Sequence, residues 1–85
     1  MRREPEFLEG KEVVLVYIAK RLNEALALEE ALTTSGVDYV VEADEYVGGV
    51  IFRGARTGAF FYVAPGSAEA ARQAMLRGGY KPLEG

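Results

Sequence analysis

Two stretches restrict this chain more than anything else in it. Lys11–Ala19 (KEVVLVYIA) and Ala59–Ala64 (AFFYVA) are runs of aliphatic, β-branched and aromatic residues with almost no polar interruption. A strand with one wet face alternates apolar and polar residues, whereas a strand covered on both faces reads as continuously apolar. Both runs therefore predict well-covered, central strands. With 85 residues the chain makes one small domain, so these two strands must be its centre.

The remaining elements follow from period and punctuation. Lys20–Ser35 reads as a helix, with Leu22, Ala25, Leu26, Leu28 and Leu32 on one arc and Glu24 and Glu30 outside it. Glu29 falls inside the arc, where a carboxylate must reach water or find a partner. Gly36 stands where a left-handed residue closes a helix. Val37–Ala43 alternates and suits an edge strand. Asp44–Gly58, with Gly48-Gly49 and Gly54 around Val50-Ile51-Phe52, reads as a short extra strand or hairpin arm. Pro65-Gly66-Ser67 turns the chain into a second helix over Ala68–Arg77 with a narrow small-residue face (Ala68, Ala71, Met75 and Ala74 or Leu76), ended by Gly78-Gly79. Met1–Gly10 reads as a flexible N-terminal arm with Phe7 and Leu8 as an anchor, residues 11–85 as the domain, and Tyr80–Gly85 as a tail able to add an edge strand.

The order β-α-β-(β)-β-α packs most simply as an α+β, ferredoxin-like domain: an antiparallel sheet with both helices on one face. The first and third main strands are then neighbours, and they are the two apolar runs. Two helices cover only one sheet face, however. Val14, Val16 and Ile18 alternate with Val13, Leu15 and Tyr17; Phe60 and Tyr62 alternate with Phe61 and Val63. One set of each would face water, and large apolar patches seldom remain exposed. A homo-oligomer, in the first instance a dimer, built on Tyr17, Phe60 and Tyr62 is the expected remedy; the Asp44–Gly58 arm folding over that face is the other.

Composition narrows the chemistry. There is no Cys and no His, which excludes disulfides, thiolate nucleophiles, imidazole bases and Cys/His zinc sites. No cofactor-binding or metal-binding motif is present. The longest apolar run is far short of the ~20 residues of a membrane span, and Arg2-Arg3 leads into Glu and Pro rather than an apolar core. A cytoplasmic protein is the expectation.

Arg53-Gly54-Ala55-Arg56-Thr57-Gly58 joins two guanidinium groups, two glycines and a hydroxyl. Such a segment can grip phosphate or carboxylate, though its spacing matches neither a Walker A loop nor a dinucleotide fingerprint. Arg53, Arg56, Thr57 and Tyr46 are the candidate residues for a small anionic ligand or a protein partner. A Gly-rich turn with solvated arginines, paired to Glu42, Asp44 or Glu45, is the plainer reading. Tyr17 with Phe60 and Tyr62 also suggests the base-stacking aromatics of RNA-recognition motifs, but the net charge of −3 argues against a nucleic-acid surface.

Asn23-Glu24-Ala25, Leu28, Leu32 and Gly36-Val37, with Val63, Pro65 and Ala68 through Ala71, resemble the pattern of a small prokaryotic family described as signal-transducing proteins, over about residues 13–77. That resemblance implies a fold similar to the ferredoxin-like core of nitrogen-regulatory P-II proteins, in which a long loop after the second strand engages partners. Asp44–Gly58 stands in the equivalent place. It carries no P-II nucleotide-binding motif, and the family supplies no catalytic residues. The expected function is a non-catalytic regulatory or adaptor module that binds a protein or small ligand through the 44–58 arm and an oligomer interface. The alternatives are a cofactor-independent enzyme of the dimeric ferredoxin-like type, relying on Glu, Tyr, Arg or Lys, and an RNA-recognition-like binder.

Overall fold

The computed structural model describes residues 1–47 and 55–81. The elements are β1 (Val14–Ala19), α1 (Leu22–Thr34), β2 (Val40–Val47), β3 (Ala55–Val63) and α2 (Ala68–Arg77), with single turns of 3-10 helix at Pro5–Leu8 and Pro65–Ser67. The chain is α+β: among the described residues, a three-stranded antiparallel sheet in the order β1-β3-β2, with two helices. β1 and β2 both run antiparallel to β3. The β1-α1-β2 crossover therefore joins two parallel strands that β3 separates.

The core lies between the helices and one sheet face. Leu28 and Leu32 of α1 and Ala71 and Met75 of α2 are fully buried against Val16, Phe61 and Val63 of the sheet. The small-residue face read for α2 is the buried one, formed by Ala68, Ala71, Ala74 and Met75, with Leu76 exposed. Small side chains let this helix lie close to its neighbours, and it packs on both α1 and β1.

Both helices end in the same way. Gly36 has φ +76°. Its N–H donates to the Thr33 carbonyl, and the Val37 N–H donates to the Leu32 carbonyl, both at 3.0 Å. This is the Schellman arrangement, with buried Val37 and Leu32 as its apolar contact. At the end of α2, Gly79 has φ +84°, and the Tyr80 N–H reaches the Met75 carbonyl at 2.8 Å.

Three expectations need correction. First, β1 is not central: among the described residues it pairs only with β3, which is the middle strand. Residues 82–85 of the tail lie outside the described residues. Second, α1 buries a stripe of Ala25, Leu28 and Leu32, while Leu22 and Leu26 are 75% and 56% exposed. The buried stripe is turned toward Glu24 and Ala31, both half-buried, and away from the Leu22–Leu26 side of the arc.

Third, the alternation along β1 is interrupted. Leu15 pairs with Tyr62 and Tyr17 pairs with Phe61, leaving Val16 without an opposite residue. This β-bulge places Val16 and Tyr17 both on the helix side, where Val16 is core and Tyr17 packs against the core. Ile18, opposite Phe60, moves to the other face.

Candidate functional site

The face away from the helices is assembled by the β2–β3 and β1–β3 registers. Opposite residues in an antiparallel pair share a face. Leu15 opposes Tyr62, Ile18 opposes Phe60, Val40 opposes Tyr62 and Glu42 opposes Phe60. The face is thus apolar, with Leu15, Ile18, Val40, Phe60 and Tyr62, and becomes acidic toward Glu42 and Asp44; Phe60, expected from sequence to face water, is only 9% exposed, Val40 is buried, and Leu15, Ile18 and Tyr62 are half-buried. The Phe60 and Tyr62 rings stack with centroids 6.5 Å apart. Burial raises the Tyr62 hydroxyl above the usual phenol range, and the nearby Glu42 and Asp44 charges add to this.

The N-terminal segment, read from sequence as a flexible arm, docks against one end of this face. Leu8 is only 8% exposed and Val40 beneath it 3%. Phe7, the other expected anchor, is exposed, with the Arg3 guanidinium 5.1 Å and the Lys11 ammonium 5.5 Å from its ring centre. A groove of about 390 Å³ runs between this segment and the sheet, lined by Leu8, Val13, Val40 and Tyr62 together with Glu9 and Glu42.

Tyr17 does not join Phe60 and Tyr62. The bulge sends it to the helix side, where its ring meets Tyr80 edge-on at 5.6 Å. Its hydroxyl donates to Glu24 Oε2 at 2.7 Å. The other Glu24 oxygen accepts from the Lys20 backbone N–H at 3.0 Å, which ties down the start of α1. Burial, then the Glu24 hydrogen bond and charge, push the Tyr17 hydroxyl up to about 12. Glu24 was missed by sequence reasoning, because the helical wheel set it outside the apolar arc.

Glu29 is partnered. Its carboxylate accepts from the Tyr39 hydroxyl at 3.1 Å and lies 3.6 Å from Arg2. The Tyr39 ring is 1% exposed and stacks on Phe61. Burial raises the Tyr39 hydroxyl, with the Thr33 hydrogen bond opposing and the Glu29 charge reinforcing the shift.

The arm expected over Asp44–Gly58 is a continuation of β2 and β3. Asp44 opposes Gly58, Glu45 opposes Thr57, Tyr46 opposes Arg56 and Val47 opposes Ala55. The register thus brings Tyr46, Arg56 and Thr57 onto neighbouring rungs of one ladder, with Thr57 exposed. Arg53, Gly48-Gly49 and Val50-Ile51-Phe52 lie outside the described residues.

Among the described residues, no group of three or more acidic side chains is placed to hold a metal ion, and no helix is long and apolar enough to cross a membrane. No family model matches the chain, and no curated protein sequence or solved structure is significantly similar to it.

Proposed function

We propose that this chain is a ferredoxin-like regulatory or adaptor module of the signal-transducing kind. It pairs with a second copy through the open sheet face and engages a protein partner or small anionic ligand through the β2–β3 hairpin. The split β1-α1-β2 crossover around β3 supports the ferredoxin-like reading. The observation that carries the functional reading is the open face itself. Half-buried Leu15, Ile18 and Tyr62 flank Phe60, itself only 9% exposed, on the face opposite the helices, and the docked N-terminal segment packs on the neighbouring strand β2. Apolar surface of this kind marks interaction sites in soluble domains.

Ile18→Asp places a charge on that face at a half-buried position. In a dimer the carboxylate would be buried without a partner, which interfaces do not tolerate. Sedimentation equilibrium at micromolar concentration should show a dimer for the unaltered chain and a folded monomer for Ile18→Asp. Leu15→Asp is a second variant should the first fail to fold. A monomer for the unaltered chain across the whole concentration range refutes the pairing.

A further inference from the structure

We infer that the outer edge of β2 is a docking edge for a basic, extended segment of a partner protein, which adds to the sheet as a further strand. The inference deepens the proposed partner-binding role of the hairpin by naming the partner's chemistry, and it rests on that reading.

The chain displays the mode of binding on itself. Residues 1–3 lie parallel to the segment leading into β2, with Arg2 bridged to Tyr39. The Tyr39 N–H donates to the Met1 carbonyl at 3.0 Å, and the Arg3 N–H donates to the Tyr39 carbonyl at 2.7 Å. The two guanidinium groups meet acids on either side of the strand: Arg3 lies 3.2 Å from Asp38 and Arg2 lies 3.6 Å from Glu29. A basic extended segment thus already occupies the first rung of this edge. Pro5, which has no N–H to donate, then starts the 3-10 turn that takes the chain out of the backbone ladder and packs it on β2.

Beyond that turn the edge continues. Backbone groups on a strand alternate sides with a period of two. Since Tyr39 directs its N–H and C=O outward, Val41 and Ala43 do so as well, while Val40, Glu42 and Asp44 bond toward β3. Among the described residues no further backbone partner lies along the outer edge at Val41 or Ala43. An unpaired edge is a template for another strand.

Charge selects what that strand is. Glu42 and Asp44 are exposed and share one face, and Val41 and Ala43 share the other. Residues beside them on an added strand are their cross-strand neighbours. The favoured guest therefore alternates basic and small apolar residues. A second copy of β2 is disfavoured, because it would set carboxylates beside carboxylates.

The test uses the full chain and a blocked peptide alternating Arg and Val, long enough to span β2. In an amide-resolved NMR titration, shifts should centre on Val41 and Ala43, and binding should weaken steeply with salt. A peptide of identical composition with its arginines grouped at one end should bind weakly or not at all. The Glu42→Lys/Asp44→Lys double variant should lose affinity about tenfold and should prefer a Glu-Val peptide. Ala43→Pro removes an outward donor without touching the β2–β3 ladder and should abolish binding with the fold retained. A flat titration, equal binding of the grouped peptide, or shifts centred on Leu15 and Phe60 would overturn the inference. The peptide-free dimer is measured separately, so failure here leaves the open-face reading intact.

Discussion

Replacing Gly36 by Ala isolates a single energetic term. The residue sits at φ +76°, and a Cβ built there meets no atom within 4 Å. The cost is therefore backbone strain and not a clash. For an L-residue the left-handed conformation costs about 1–2 kcal/mol. The alanine chain also has less unfolded-state entropy to lose, which returns about 0.4–1 kcal/mol. The net destabilisation is about 1 kcal/mol, equivalent to a fall of about 4–8 °C in Tm for a domain of this size. Urea denaturation should show a lower midpoint with an unchanged slope. Gly66 provides the control: its φ lies outside the left-handed region and its Cβ position is equally open. Gly66→Ala should be neutral or slightly stabilising. If Gly36→Ala proves as harmless as Gly66→Ala, the Schellman closure of α1 is refuted.

Other outcomes follow from the same contacts. The Tyr17 hydroxyl titrates near 12 in the folded chain against 10 when free. The native state thus keeps a proton that the unfolded chain releases. Its contribution is complete below pH 10 and is lost as pH rises from 10 to 12. That difference sets a ceiling of about 3 kcal/mol, which solvent near the half-buried ring lowers to about 1–2 kcal/mol. Urea midpoints should fall across that window, and less steeply for Tyr17→Phe; equal slopes would count against the Tyr17–Glu24 bond. Leu28→Ala, at a fully buried site, should cost about 2–5 kcal/mol. Leu26→Ala, at a side chain 56% exposed, should stay within about 0.5 kcal/mol, as chemical denaturation of the two variants would show.

Element order, the Gly36 closure and the buried face of α2 were legible because each rests on local signals. An apolar run, a glycine at a helix end and a line of alanines need no tertiary information. The failures arose where one residue changes a phase. The bulge at Val16 flips every side chain beyond it, and no residue in VLVYIA announces it. An uninterrupted alternation therefore groups Tyr17 with Phe60 and Tyr62, although it faces Glu24 and Tyr80. On α1 the wheel gave a wide arc from Leu28 to Leu26, and only packing against β1 and α2 decides which part is covered. Leu22 and Leu26 lost that competition, and Glu24 came close enough to accept a hydrogen bond from the Tyr17 hydroxyl. The N-terminal pairing was illegible for a different reason. Met1–Arg3 has no strand-like pattern, and its place on the sheet comes from backbone bonds to Tyr39 and charges on Asp38 and Glu29.

The open face as a contact between copies is most directly tested by isotope-filtered NOE spectroscopy on a mixture of 13C-labelled and unlabelled chains. Only protons on different molecules give signals in that experiment. Pairing through the open face predicts cross-peaks among Leu15, Ile18, Phe60 and Tyr62. An empty filtered spectrum at millimolar concentration, or cross-peaks confined to Leu22 and Leu26 on the helical side, would contradict it.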